Sequence, residues 1–169
     1  MTKRGWLCLL LVIVAVFAVV IVLRQIFPPK YVPMEDKFLQ ELTQALEQQD
    51  AEKIKSLFSD NIVSEVPELD AQIDQLCGFY TGTVVGTVDR GSSAHMEKKG
   101  SYRREVVNAS YDLTTTGGEY RIAFQFCSID TTDPGEVGIH SMYMIKAEAS
   151  NMEFAYWGGY KWLPGIVIE

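Results

Sequence analysis

Residues 67–88, PELDAQIDQLCGFYTGTVVGTV, contain the change of pattern that decides the fold. Up to Gly78 the apolar positions Leu69, Ile73 and Leu76 recur at three- and four-residue steps, and Tyr80 continues the series, as on a helix with one buried side. Pro67 opens this helix where its missing N–H is no loss, and Glu68 and Asp70 fall in the first turn, where the helix dipole favours acids. After Gly78 the pattern becomes that of a strand, with a period of two and Thr, Val, Tyr and Ile enriched. Helices followed by short-connected strands predict an α+β architecture.

Working upstream, Phe38, Leu42, Ala45 and Leu46 alternate with Glu41, Gln44, Glu47 and Gln48, which predicts an amphipathic helix from Met34. Asp50 is the expected N-cap of a second helix carrying Ile54, Leu57 and Phe58, until Ser59, Asp60 and Asn61 interrupt it. With the helix at Pro67 this makes about three helices; Ile62–Val66 fits either helix or loop. Downstream, strands are expected at Thr81–Val88, Tyr102–Leu113, Tyr120–Ile129 and Val137–Ala147, with a short last strand at Ile166–Ile168, four to five in all. Thr116, Gly117 and Gly118 mark a hairpin, and Thr132 to Gly135 fit a type II turn. Such short connections imply antiparallel neighbours. Gly91 to Gly100, with its serines and lysines, reads as an exposed loop.

Charge separates the chain into two materials. Residues 1–34 hold Lys3, Arg4, Arg24 and Lys30 and no acid, whereas residues 35–169 hold 22 acids against 11 bases. An acidic domain repels phosphate backbones, so nucleic acid is not an expected partner. Trp6 to Leu23 is an unbroken apolar run of 18 residues, about 27 Å as a helix against a hydrocarbon core of about 30 Å. A cleaved signal peptide has a shorter apolar region ending in small residues, and this run ends in Val20, Ile21, Val22, Leu23 and Arg24. The expected organisation is a short basic N-terminus at 1–5, a membrane anchor at 6–23, a proline-rich connector at 24–34 and an extracytoplasmic α+β domain at 35–169. Basic residues flank the run on both sides, so the positive-inside rule nearly cancels; the expected orientation is a short N-terminus inside and the domain outside. Cys8 has only seven residues before it, too few for a lipoprotein signal.

The chemistry-bearing residues are sparse. The chain lacks a dinucleotide fingerprint, a phosphate-binding loop, a zinc-protease helix motif and a nucleophile elbow. Two histidines and three cysteines without C-x-x-C spacing do not make a zinc site, so no metal or cofactor is expected. His140, taken to share a strand face with Met142, Met144 and Lys146, would pair with Asp74 or Asp112 as an acid/base couple if that face lined a pocket; the alternative is a surface histidine. Cys77 and Cys127 admit either a disulfide across the helix–sheet interface or two buried thiols. Tyr111 and Phe124, among other alternating aromatics, would line a cavity or fill the core.

Several pieces taken together are similar to one family: Ala51 to Phe58 followed by Ser59, Gln72–Ile73–Asp74 before Gly78–Phe79–Tyr80, and Ser110–Tyr111–Asp112. Further along stand Tyr120–Arg121–Ile122, Ile129–Asp130–Thr131 before Val137–Gly138, Ile145–Lys146–Ala147, Tyr156–Trp157–Gly158 and Pro164–Gly165–Ile166. Over about Asp36 to Ile168 the chain resembles uncharacterised bacterial domains attached to the outer face of the membrane, with a nuclear transport factor two-like, or cystatin-like, fold. The resemblance implies helices over a curved antiparallel sheet that often encloses a conical pocket, and it assigns no catalytic residue. Relatives are often lipoproteins, whereas this chain has a plain anchor. The reading that follows is a single-pass, membrane-anchored module that binds an unidentified protein or small molecule without catalysis. The rivals are a small-molecule enzyme using Asp74, Asp112 or His140, and a homodimer formed through the sheet.

Overall fold

The first helix sets the position of everything after it. In the computed structural model, which describes residues 33–148 and 165–168, α1 (Met34–Gln48) buries Leu39, Leu42, Thr43, Ala45 and Leu46 along one side. Each such leucine contributes about 1.5–3 kcal/mol by leaving water. The helix stops in a Schellman arrangement: Asp50 N–H reaches Ala45 O at 2.9 Å and Gln49 N–H reaches Leu46 O at 3.1 Å, with Gln49 in the left-handed position at φ 53°. Asp50 then caps α2 (Ala51–Lys55), its carboxylate accepting from Lys53 N at 2.9 Å, as its sequence position predicts.

The helical layer has one more member than expected. Ser59 caps α3 (Asp60–Glu65) by accepting from Ile62 N, so the segment that fitted either helix or loop is helical and the helices number four among the described residues. The fourth, α4 (Leu69–Phe79), buries Leu69, Ile73, Leu76 and Cys77. No helix among the described residues is long and apolar enough to cross a membrane. The anchor expected at Trp6 to Leu23 lies outside them.

Five strands follow in spatial order β1-β2-β3-β4-β5, every neighbouring pair antiparallel. They are β1 (Val84–Lys99), β2 (Tyr102–Thr115), β3 (Gly118–Asp130), β4 (Gly138–Lys146) and β5 (Gly165–Ile168). The face toward the helices carries Val107, Ala109, Tyr111 and Leu113 from β2, Tyr120, Ile122, Phe124 and Phe126 from β3, Ile139, Met142 and Met144 from β4, and Ile168 from β5, all in one core with the helices. Phe38 of α1 meets Phe126 at 4.4 Å between ring centres, Phe126 meets Phe124 at 5.9 Å, and Phe124 stacks on Tyr111 at 6.1 Å. Of the two roles open to these aromatics, lining a cavity or filling the core, Phe124 and Phe126 take the second, both being wholly buried.

Three local expectations are corrected. The Ser- and Lys-rich segment expected as a loop is the distal half of β1, paired without interruption from Gly91↔Ser110 to Lys99↔Tyr102. It is exposed throughout, so a strand solvated on both sides needs no alternation and looks like a loop by composition. The turn at Asp133 is not type II: Pro134–Glu136 is a 3₁₀ turn capped by the Asp133 carboxylate, which accepts from Gly135 N at 3.0 Å. Finally, a bulge in β4 pairs Ser141 with Gln125 and Ile139 with Phe126, leaving His140 extra. Ile139 therefore shares the buried face with Met142 and Met144, and His140 leaves it.

The helices and sheet are stitched where Leu57 O accepts from Ile139 N at 2.8 Å and Ser59 N donates to Ile139 O at 3.1 Å. Gly138 permits this approach. Its φ is 136°, and a Cβ there would lie 2.5 Å from Ser59 N and 2.7 Å from Phe58 C, both backbone atoms. Gly138→Ala is expected to lower unfolding free energy by about 2 kcal/mol or more. Gly78→Ala, an exposed site in α4 where an added Cβ meets nothing within 4 Å, should raise it by about 0.5–1 kcal/mol. Urea denaturation of the two variants measures both.

Candidate functional site

Between α1 and the β1–β2 pair lies a cleft of about 670 Å³, lined by Asp36, Leu39, Gln40, Thr43, Gln44, Glu47, Val84, Thr87, Asp89 and Tyr111. The helical contribution has a simple origin. Asp36, Gln40, Thr43, Gln44 and Glu47 are spaced by three and four residues, so they form a polar stripe beside the buried leucine stripe. β1 closes the other side, and no described strand pairs beyond it.

Tyr111 forms the floor. It is 1% exposed and donates its hydroxyl proton to Asp36 Oδ1 at 3.0 Å. Burial and the Asp36 carboxylate raise its pKa well above the ordinary tyrosine value, so it stays a neutral donor. Glu47 Oε1 accepts from Val84 N at 2.8 Å and Asp89 Oδ1 from Gly91 N at 2.7 Å, each leaving a second oxygen unused by these bonds. Among the described residues none of the three carboxylates has an ion-pair partner, and no Lys, Arg or His lines the cleft.

The residues singled out from sequence lie in several places. Tyr111 lines the cleft and Phe124 is wholly buried behind it. Asp74 is exposed on α4. Asp112 is held by two arginines: Arg121 donates through Nε at 2.7 Å and Nη2 at 3.1 Å, and Arg90 donates through Nε at 2.5 Å. Those guanidinium bonds outweigh the cost of partial burial and hold its carboxyl below the ordinary 3.8. His140 Nε2 bonds to the Glu136 carbonyl at 2.7 Å, inside a polar latch in which Glu136 also accepts from Arg104 Nη2 at 2.9 Å and Asn61 Nδ2 at 2.7 Å. That latch ties the 3₁₀ turn to α3 and β2. The structure therefore does not gather Asp74, Asp112 and His140 around one cavity. Cys77 and Cys127 are free buried thiols, and burial raises the pKa of both. Among the described residues no three His, Cys, Asp or Glu side chains are grouped to hold a metal.

Asp36, Glu47 and Asp89 were not singled out from sequence. The polar stripe on α1 was legible, but its opposing wall, β1, lies far along the chain.

Residues 41–147 match the family described as a domain of unknown function, DUF5104. The chain belongs to that family. The DUF5104 match runs from the second half of α1 to the residue after β4, so it includes Thr43, Gln44, Glu47, Val84, Thr87, Asp89 and Tyr111 of the cleft and leaves out Asp36, Leu39 and Gln40. No curated protein matches the chain.

The Asp112 clamp gives a pH test. A carboxyl held below 3.8 in the folded state stabilises the protein fully above that value and loses the effect as pH falls through its folded pKa. Asp112→Asn should lower the urea midpoint at pH 7. Its deficit against the natural protein should shrink progressively below about pH 4.

Proposed function

We propose that the protein is a non-catalytic module, tethered by residues 6–23 with its α+β domain outside the cytoplasmic membrane, that captures a small organic cation in the cleft between α1 and β1. The observation that carries the reading is the cleft itself: three carboxylates, Asp36, Glu47 and Asp89, line one cavity, with no basic residue on its walls among the described residues. Such a site attracts positive charge, and Gln40, Thr43, Gln44 and Thr87 add hydrogen-bonding groups. Leu39 and Val84 supply apolar surface for a carbon skeleton. A cavity of this size matches that of ordinary small-molecule sites, which lie at roughly 300–1,000 Å³. A fixed Tyr111–Asp36 pair keeps one wall prepared, which lowers the ordering cost of binding.

Isothermal titration calorimetry of the full chain in detergent with putrescine, arginine and choline tests the cleft. At least one should bind, with 1:1 stoichiometry and an affinity that falls as salt rises. Asp36→Asn and Glu47→Gln should each weaken it about tenfold, the scale of one hydrogen bond to a charged group. Binding of none of the three cations, or binding indifferent to both substitutions, would contradict the cation reading. The tether has its own test: the full chain should stay with membranes through a high-salt wash, and deletion of 6–23 should release it to the soluble fraction.

A further inference from the structure

The hairpin that joins β1 to β2 concentrates positive charge in an acidic domain. Residues 35–169 carry 22 acids against 11 bases, yet residues 96–103 hold Lys98, Lys99 and Arg103 against one acid, Glu97. All three bases are exposed, and among the described residues none has an ion-pair partner. Lys98 stands directly opposite Arg103, and Lys99 opposite Tyr102. Directly opposed side chains point to the same face, so Lys98 and Arg103 repel one another, which destabilises the ladder. Neighbouring acids are engaged elsewhere. Glu105, next on that face, accepts from Ser128 Oγ at 2.6 Å, and Glu97, on the other face, lies 3.5 Å from the Tyr102 hydroxyl and 3.6 Å from His95. The tip is nonetheless held firmly. Gly100, at φ 64°, allows the two-residue turn, and Thr131 clasps Arg103, its hydroxyl accepting from Arg103 N at 2.9 Å and its N–H donating to Arg103 O at 3.0 Å. Like charges fixed in place without partners in the chain are arranged for anions outside it.

From this arrangement we infer that the hairpin tip docks on the anionic phospholipid headgroups of a membrane. The inference rests on the tether proposed above for which membrane that is. The fold turns the tip toward the side where the chain enters. α1 runs antiparallel to β1, since Glu47 in its last turn accepts from Val84 N at 2.8 Å and Glu35 in its first turn accepts from Ser92 Oγ at 3.0 Å. The start of α1 is therefore the end nearer the tip. From Ser92 to Lys99 β1 continues for about 23 Å, and the ten residues 24–33 reach at most about 35 Å, enough to bring the tip to a surface that holds residues 6–23. Its side chains suit that surface: Met96, 47% exposed, shares the face of Lys98 and Arg103, and Tyr102 stands beside Lys99, placing apolar and aromatic groups among bases as at a headgroup layer. A stable protein interface needs roughly 800 Å² on each partner, which a two-residue turn with three charged side chains does not offer. Beside an anionic membrane each base counts separately, strengthening contact about fivefold.

The test uses the full chain in a Cys8→Ser background with a fluorophore on Ser101→Cys, the thiols of Cys77 and Cys127 being buried. It is reconstituted into vesicles of phosphatidylcholine alone or mixed with phosphatidylglycerol, each containing a lipid with a quencher on its headgroup. Phosphatidylglycerol should increase quenching, and high salt should reverse the increase. Lys98→Gln, Lys99→Gln and Arg103→Gln together should abolish it, a loss of about a hundredfold in surface contact. The triple variant should keep its urea midpoint or raise it, because Lys98 and Arg103 no longer repel, so the loss is not one of folding. Quenching that is equal in the two kinds of vesicle, or that survives the triple substitution, would overturn the inference and leave the tether standing. A label insensitive to phosphatidylglycerol but shielded in membranes from the source cells would overturn it in favour of an acidic protein. A chain that high salt washes from phosphatidylcholine vesicles, yet that phosphatidylglycerol holds through the three bases, would support the tip and contradict the tether.

Discussion

Burying a tyrosine hydroxyl in an apolar core is costly without a partner, and Tyr111 is buried in β2. The carboxylate that satisfies it, Asp36 at 3.0 Å, sits in the first turn of α1. Leaving that hydroxyl unpaired would cost about 1–3 kcal/mol. The bond therefore fixes the N-terminal end of α1 over the sheet, while the ring row from Tyr111 through Phe124 and Phe126 to Phe38 fixes the packing beneath it. With α1 held in this way, its polar stripe must face β1, and the cleft is the space left between them. One hydrogen bond thus connects core packing, helix placement and the geometry of the candidate site.

The same arrangement separates two kinds of polar residue. Asp112, Arg121 and Arg90 neutralise one another, and Arg104, Asp130, Glu136 and His140 form a latch around the 3₁₀ turn. Both groups are occupied with holding strands and turns. Asp36, Glu47 and Asp89 face open space without basic partners among the described residues, and acids held in that way are poised for something outside the chain.

Most of the helical layer was legible because its signals are local. The Leu39–Leu46 face of α1, the Asp50 cap and the Leu69–Leu76 face of α4 depend on residues within a turn or two of each other. Four of the strands were legible from alternation and from the two-residue turn at Thr116 and Gly117. The features that escaped depend on tertiary context. The distal half of β1 is held by its ladder with β2 and buries nothing, so its composition carries no strand signal. The bulge that removes His140 from the core face exists because Gly138 and Ile139 must meet Leu57 and Ser59, about eighty residues earlier. The site was harder still to read, since Tyr111 was a candidate but its partner Asp36 lies 75 residues earlier in the chain.

The most direct measurement is a crystal structure of the full chain, purified from its native source without stripping bound small molecules and grown from an amine-free buffer. Density is expected for a compact, positively charged molecule within hydrogen-bonding distance of at least two of Asp36, Glu47 and Asp89, with the Tyr111–Asp36 bond intact. A cleft holding only water, or one closed by movement of α1 onto β1 with that bond broken, would contradict it.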